Sequence, residues 1–191
     1  MSGIKTITWR NEKVSSLVLG TVQLGLDYGI ANSGGKPSDK QALELIDATW
    51  TGGIDFFDTA QAYGDSEAVL GRALNTLKIA DSAKLISKIS PALSSRDYPA
   101  ISASVEESLG KLGISQLWGL MLHRSEWLEE WDGGLGITLE NLRKDGKVKH
   151  IGVSVYTPEE AKRALGTDGV DIIQVPCSAW DQRMINSGVF S

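Results

Sequence analysis

Short apolar segments alternate with helical segments along almost the whole chain, and this alternation constrains the fold more than any other feature. Within the apolar segments there is no strict alternation of apolar and polar residues, which is typical of strands buried on both faces. Most units recur at roughly thirty residues, the size of a βαβ element. The pattern therefore predicts a parallel sheet with right-handed helical crossovers. The six apolar segments are residues 17–22, 54–57, 85–89, 117–122, 151–155 and 171–175.

The starts of two helices can be read directly from the sequence. Ser38 stands three residues before Gln41, and Thr157 stands before Pro158 and three residues before Glu160. Both patterns predict capping boxes, and proline suits the first position of a helix. Apolar stripes at helical spacing predict two further helices, over residues 101–112 and 135–142.

Two observations favour a closed barrel over an open sheet. The sequence has no G-x-G-x-x-G fingerprint, and Gly25 is followed by Leu26 and Asp27 rather than by the Lys-Ser/Thr of a P-loop. Polar residues instead stand at the C-terminal ends of the strand segments, where a (β/α)8 barrel builds its site. We expect a (β/α)8 TIM barrel type, here an incomplete barrel with about six strand-helix units where eight are needed. The polar residues are Asp58, Lys88, His123, Ser154 and Gln174.

A hairpin is expected ahead of the barrel. Residues 5–10 and 14–17 flank the polar pair Asn11-Glu12, which predicts two strands joined by a short turn. We expect residues 1–16 to form a hairpin that closes the barrel floor, and residues 17–191 to form a partial barrel as a single domain. An incomplete barrel exposes the edges of its first and sixth strands, and naked edges pair readily, so we also expect a homo-oligomer.

Composition narrows the classes of partner. The chain has 191 residues, a net charge of -5 and one cysteine, Cys177. This charge makes nucleic acid and anionic membranes improbable as main partners. The cysteine and histidine residues show no zinc-site spacing, so no metal is expected. No apolar segment is long enough for an export signal or a membrane span, and we expect a cytoplasmic location.

Asp58, Tyr63, Lys88 and His123 together suggest acid–base chemistry. A tyrosine near its usual pKa of about 10 is a poor proton donor at neutral pH, and a neighbouring lysine ammonium is expected to lower that pKa. Asp58 would keep Lys88 charged and oriented, while His123 would bind a substrate oxygen or relay a proton. The four residues therefore predict a general acid for a carbonyl that receives hydride.

These residues lie in segments that resemble one family. Residues 53–64 are similar to the G-x-x-x-x-D-T-A-x-x-Y-G signature of the aldo-keto reductases. "LISKIS" with Lys88, "LMLHRSE" with His123, and "GKVKHIGVS" followed by "DIIQVP" resemble later strands of that family. The resemblance implies a (β/α)8 barrel, an NADPH cofactor with NADH as the alternative, and reduction of an aldehyde or ketone, or the reverse reaction.

The resemblance also implies roles for individual residues. It makes Tyr63 the general acid, Lys88 and Asp58 the residues that tune it, and His123 the residue that orients the substrate. Two groups of further residues are candidates by position. The expected cofactor contacts are Thr21, Ser154 and Gln174, and the expected walls of the substrate pocket are Tyr28 and Trp180.

Two alternatives from other classes stay open. A Schiff-base lyase on a barrel would use Lys88 as its nucleophile at a strand end. A non-catalytic truncated barrel, regulatory or vestigial, would keep the residues of the site without the last two strand-helix units. The leading hypothesis remains an oxidoreductase that transfers hydride between a nicotinamide cofactor and a small carbonyl compound.

Overall fold

The computed structural model describes residues 4–29 and 32–190. It begins with an antiparallel hairpin of β1 (Thr6–Trp9) and β2 (Glu12–Ser15). A parallel sheet follows, formed by β3 (Val18–Gly20), β4 (Phe56–Asp58), β5 (Lys84–Ile89), β6 (Leu117–Leu122), β7 (Val148–Ser154) and β8 (Ile172–Gln174). Each of these strands pairs with the next one along the chain. The fold is a parallel half-barrel of TIM type with an N-terminal hairpin, which confirms the predicted fold class.

Helices connect the strands, and both predicted capping boxes are present. Ser38 Oγ accepts a hydrogen bond from the Gln41 backbone N–H, and Thr157 Oγ1 accepts one from Glu160. The helices are α1 (Val22–Gly25), α2 (Asp39–Thr51), α3 (Ser66–Leu77), α4 (Tyr98–Leu112), α5 (Gly136–Lys144), α6 (Pro158–Leu165) and α7 (Arg183–Asn186), with a 3-10 helix at Ser125–Glu130 and a π-helical turn at Trp131–Leu135.

Three local features differ from the sequence-based predictions. The segment expected to be a strand up to residue 22 ends at Gly20, and Val22 opens α1. Helix α3 was not predicted as a separate element. The hairpin turn lies at Arg10 and Asn11, which have φ of 44° and 68°. Positive φ at both central residues is typical of a two-residue hairpin turn. Glu12 therefore belongs to β2, where its carboxylate pairs with Lys149.

The outer face of the sheet forms the main core. Phe57 and Leu85 lie on this face and are fully buried with Ile46, Leu70 and Val105 of the helices. Burying each of these five apolar side chains stabilises the folded state by about 1.5–3 kcal/mol relative to leaving it exposed. The helices thus stabilise the strands from outside and fix their register.

The inner face of the sheet carries a smaller apolar cluster below the polar residues. Phe56 and Ile86 belong to this cluster, together with Val14 of the hairpin. Side chains two positions apart share a face of a strand. Asp58 and Lys88 therefore follow Phe56 and Ile86 on the inner face, one layer closer to the carboxyl ends of the strands.

The hairpin packs against the amino ends of the strands. The ring of Trp9 lies 5.2 Å from that of Trp118 and 4.7 Å from that of His150, centroid to centroid. Arg10 Nη1 lies 2.5 Å from Asp171 Oδ1 at the start of β8. Aromatic and charged contacts thus stabilise the amino ends of the strands. The polar side chains of the candidate site lie at the opposite, carboxyl ends.

Within residues 4–29 and 32–190, every helix is too short or too polar to cross a membrane.

Two helical glycines provide a matched test of the packing between α3 and α4. A Cβ at Gly71 would lie 2.3 Å from Lys111 O and 2.8 Å from Leu112 Cα, whereas a Cβ at Gly110 would meet no atom within 4 Å. Alanine favours a helix over glycine by about 1 kcal/mol. We expect Gly110→Ala to raise the free energy of unfolding by about that amount, and Gly71→Ala to lower it by about 1–3 kcal/mol through overpacking. Urea unfolding measures both, and equal stabilisation by the two variants would contradict this packing.

Candidate active site

Several predicted residues meet at the carboxyl ends of the strands. Lys88 Nζ on β5 lies 2.5 Å from Asp58 Oδ1 on β4, and Gln174 Nε2 on β8 donates to Asp58 Oδ2 at 3.3 Å. The Tyr63 and His123 rings meet edge to face, with centroids 5.9 Å apart. Strand register explains the first contact, because Asp58 pairs with Ile86, two residues before Lys88.

The ion pair between Lys88 and Asp58 is buried. The Lys88 side chain is only 2% exposed and that of Asp58 13%, and Lys88 Nζ also donates to the Thr59 carbonyl at 3.2 Å. Burial lowers the pKa of the Lys88 ammonium, and the charge and hydrogen bond of Asp58 oppose this change. Asp58 is thus the counter-ion that a buried ammonium requires.

Tyr63 stands beside this pair. Lys88 Nζ lies 5.2 Å from the centroid of the Tyr63 ring, a cation–π distance. Burial, followed by the negative charge of Asp58, raises the pKa of Tyr63 to about 12. The expectation that this pKa is lowered is wrong, because burial of the phenol and the charge of Asp58 both disfavour the phenolate. Tyr63 is therefore protonated at neutral pH.

His123 follows β6 and completes the group. Burial, and then the charge of Lys88, lower the pKa of His123, while Asp58 opposes them. The imidazole is accordingly neutral at pH 7. Its Nδ1 atom is buried and has no hydrogen-bond partner among residues 4–29 and 32–190. Buried polar atoms are rarely left unpaired, so this nitrogen is unusual among the residues that the structure describes.

A network of buried hydroxyl groups lies beneath Asp58. Thr21 is 1% exposed, and its hydroxyl donates to the Asp58 carbonyl at 2.9 Å. Ser66 Oγ donates to the Thr21 carbonyl at 2.8 Å. The observed contacts of Thr21 thus hold the end of β4, and its predicted contact with a cofactor stays a prediction.

The turn of α1 packs directly on the loop that carries Tyr63. A Cβ at Gly25 would lie 1.8 Å from the Tyr63 carbonyl oxygen and 2.6 Å from the Ser66 amide nitrogen. Both atoms belong to the backbone and cannot move aside as a flexible side chain would. Glycine is therefore required at this position for the loop to lie where it does.

Ser154 and Gln174 lie side by side at the ends of β7 and β8. They are paired in the strand register, with Ser154 buried and Gln174 exposed. A hydroxyl and an amide at one strand end offer both donors and acceptors, which is the chemistry that recognises a carboxamide. The donor set at this edge thus fits the carboxamide of a nicotinamide cofactor.

The two predicted pocket residues are both exposed. Tyr28 is 58% exposed, yet it lies close enough to Tyr63 to raise the pKa of the Tyr63 phenol. Trp180 is 95% exposed, so its side chain packs against almost no other part of the described chain. A role in the substrate pocket stays a prediction for each.

One neighbour of the site and one buried acid behind the sheet were missed by the sequence reasoning. Tyr156, two residues after the end of β7, also raises the pKa of Tyr63, and its place just beyond a strand end was a usable signal. Glu67 is 2% exposed and accepts a hydrogen bond from the Ser87 hydroxyl at 2.6 Å, on the face of β5 opposite to Lys88. An acid in the first turn of a helix usually faces solvent, so only the packing of α3 identifies Glu67.

The ion pair gives a stability prediction. Asp58→Asn leaves the Lys88 ammonium buried without a counter-ion, and we expect the free energy of unfolding at pH 7 to fall by about 3–5 kcal/mol. The loss should shrink as the pH rises towards the unfolded-state pKa of Lys88, because neutral Lys88 needs no partner. Urea unfolding across this pH range measures it, with the double variant Asp58→Asn/Lys88→Met as the control expected to recover stability. An effect within about 0.5 kcal/mol for Asp58→Asn would show that the pair is not buried as described.

Known proteins and solved structures resemble this chain over most of its length. Among curated proteins, D-threo-aldose 1-dehydrogenase of Pseudomonas sp is 30% identical over 184 residues, which cover 78% of this chain and 55% of that protein. The crystal structure of PA4992 from Pseudomonas aeruginosa is 28% identical with a TM-score of 0.76, over 92% of this chain and 68% of that one. An aldo-keto reductase from Klebsiella pneumoniae, solved in complex with NADPH, is 24% identical with a TM-score of 0.69, over 92% and 59% of the two chains.

The extent of the match identifies the family. The chain spans about half the length of the curated relatives that it matches. The family model described as "Aldo/keto reductase family" nevertheless matches residues 16–191, nearly the whole of this sequence. The chain belongs to the aldo/keto reductase family.

Proposed function

We propose that this chain is an NAD(P)H-dependent oxidoreductase that reduces an aldehyde or ketone, or catalyses the reverse reaction, with Tyr63 as the general acid. The observation that carries the proposal is the contact of protonated Tyr63 with the buried Lys88–Asp58 pair and with the ring of His123. Membership of the family supports the class of reaction.

Ser154 and Gln174 are the residues that would hold the nicotinamide carboxamide. The bound cofactor supplies a hydride to the substrate carbonyl carbon. The family relative from Klebsiella pneumoniae binds NADPH, and we propose NADPH for this chain, with NADH as the alternative. Gln174 also donates to Asp58, so the amide at the end of β8 links the carboxamide position to the ion pair.

Tyr63 would supply the proton of the reaction. As the carbonyl carbon gains a hydride, its oxygen becomes an alkoxide, which is far more basic than a phenolate. A phenol with a pKa of about 12 therefore keeps its proton at neutral pH and gives it up to the new alkoxide. The Lys88 ammonium then lies beside the phenolate and stabilises its charge, while Asp58 keeps the ammonium in place.

His123 would orient the substrate rather than transfer the proton. Its lowered pKa keeps the imidazole neutral at pH 7. A neutral imidazole can donate a hydrogen bond through one ring nitrogen and accept one through the other. Its edge-to-face contact with Tyr63 places it next to the proposed acid, so both side chains would address the same carbonyl oxygen.

The Schiff-base alternative receives less support from the surroundings of Lys88. A nucleophilic lysine must reach the substrate carbonyl carbon as a neutral amine. Lys88 Nζ is already bonded to Asp58 Oδ1 and to the Thr59 carbonyl, and its side chain is 2% exposed. These contacts favour a charged, fixed lysine that acts on Tyr63.

We also propose that residues 17–191 form one domain, whose floor is closed by the hairpin predicted for residues 1–16, of which residues 1–3 lie outside the described part of the chain. We further propose that the chain self-associates through its sheet edges. Strands β3 and β8 are the outer strands of the sheet. Leu17 and Val18 are 51% and 49% exposed at the β3 edge. An exposed apolar edge strand is a ready template for pairing with another copy.

Replacing Tyr63 tests the proposed reaction directly. Tyr63→Phe removes the proton donor and leaves the ring in place, so we expect turnover of an aldehyde with NADPH to fall by about 10²–10⁴-fold. Binding of NADPH, followed by quenching of tryptophan fluorescence, should be unchanged. Tyr98→Phe is the matched control, because the Tyr98 hydroxyl donates to the Gly133 carbonyl away from the site. Equal turnover in Tyr63→Phe and the parent would contradict the assignment.

Self-association can be tested at the β3 edge. Val18→Lys places a charge on the exposed edge and should convert an associating parent chain into a monomer, as measured by sedimentation velocity. Ile7→Lys is the control, because Ile7 is similarly exposed, at 44%, but lies on the hairpin. A parent chain that sediments as a monomer, or a Val18→Lys variant that still associates, would count against pairing through this edge.

A further inference from the structure

Gln61 joins the loop that carries Tyr63 to two other elements. It lies between β4 and α3, two residues before Tyr63. Its Nε2 atom lies 3.1 Å from Ser104 O, from Ser104 Oγ and from Ser108 Oγ, all on α4. Its Oε1 atom accepts from the Ser90 backbone N–H at 2.7 Å. The amino group and the carbonyl oxygen of the Gln61 side-chain amide are thus both hydrogen-bonded.

The backbone of Gln61 adds a further contact with β5. The Gln61 N–H donates to the Lys88 carbonyl at 3.1 Å. Gln61 is therefore hydrogen-bonded to two residues at the end of β5. Its backbone contacts Lys88, and its side chain contacts Ser90. Ser108 is 1% exposed, so part of this network is shielded from water, where hydrogen bonds rigidify a structure most strongly.

Besides the Thr59 carbonyl, which accepts a hydrogen bond from Lys88 Nζ, the backbone hydrogen bonds of the Tyr63 loop reach β5 before Lys88 or close turns within the loop. The Thr59 N–H donates to the Ile86 carbonyl, at the beginning of the loop. The Tyr63 N–H donates to Ala60 O, and Ser66 N–H donates to Tyr63 O, which closes turns within the loop itself. Gln61 therefore makes the contact with the Lys88 strand end that lies nearest to Tyr63 in sequence.

We propose that Gln61 is a positioning residue that fixes the Tyr63 phenol relative to the Lys88 ammonium. This inference rests on the proposed function, in which the two groups act on one proton. Catalytic groups must be held within about 0.5 Å of their productive positions. A displacement of about 1 Å can reduce turnover by about 10²-fold. Gln61 touches neither of the reacting groups through its own side chain and acts through the loop and the end of β5.

Gln61→Ala is the principal test. Loss of the amide frees the loop from α4 and from Ser90, so we expect kcat to fall by about tenfold to a hundredfold, while the KM for NADPH changes by less than about twofold. Amide hydrogen exchange of residues 61–66 should accelerate by about tenfold, with exchange in β6 and β7 unchanged. Gln116→Ala is the matched control, since Gln116 Nε2 bonds the Gly146 carbonyl at the opposite end of the sheet.

A second variant keeps the inference testable if Gln61→Ala does not fold. Ser108→Ala removes one acceptor and leaves Gln61 in place, and it should change both readouts in the same direction by a smaller factor. Unchanged exchange of residues 61–66 in the folded variants would overturn the role of Gln61. An equal fall in kcat for Gln116→Ala would also overturn it, because the effect would then be general destabilisation.

The two proposals fail in different ways. A parent chain that binds NADPH but reduces no carbonyl compound would contradict the proposed function. In that case, exchange of residues 61–66 together with the ¹³C chemical shift of the Tyr63 ring still decides whether Gln61 holds the loop. The Tyr63 signal is assigned by its loss in Tyr63→Phe, and a ring shift that is the same in the parent and Gln61→Ala would refute the positioning role.

Discussion

The arrangement of the site depends on one buried ion pair. An ammonium that is 2% exposed cannot remain in the protein without a counter-ion, and Asp58 supplies it at 2.5 Å. This contact is available only because β4 and β5 run in parallel with Asp58 level with Ile86. The Thr59 carbonyl and the Gln174 amide also contact this pair. The register of β4 and β5 therefore determines which charges surround Tyr63.

The two ends of the sheet carry different kinds of side chain, with aromatic contacts at the amino ends of the strands and polar groups at the carboxyl ends. At the amino ends, the rings of Trp9, Trp118 and His150 pack against one another in tilted and edge-to-face contacts beneath the inner apolar cluster. At the carboxyl ends, the same strands terminate in side chains that carry charge or hydrogen-bonding groups. Because residues two positions apart share a face, each strand that supplies an apolar residue to the lower layer also supplies a polar one to the upper layer. The apolar layer excludes water from below, which strengthens electrostatic interactions above it.

Local patterns were sufficient to predict much of the fold. Capping residues at Ser38 and Thr157, and polar residues at strand ends, each depend on only a few neighbouring positions, so the sequence indicated both helix starts and the strand-end edge. The roles of Thr21 and Glu67 could not be predicted in this way. Each depends on a hydroxyl or carboxylate meeting a group more than fifteen residues away, and only the packed helices decide which partner is available. The hairpin turn was misplaced for a similar reason, since a φ preference for Arg10 is weak in isolation.

The direction of the Tyr63 pKa shift shows most clearly why pairwise reasoning from sequence fails. A lysine beside a phenol should favour phenolate, yet the phenol pKa is raised to about 12 because burial and Asp58 both oppose the negative charge. Burial meanwhile lowers the pKa of Lys88. Burial thus disfavours the charged form of each group when it stands alone. A phenolate that formed at Tyr63 would be stabilised by the Lys88 ammonium at its ring. In the proposed reaction, Tyr63 would therefore keep its proton until hydride transfer has produced a stronger base, the substrate alkoxide.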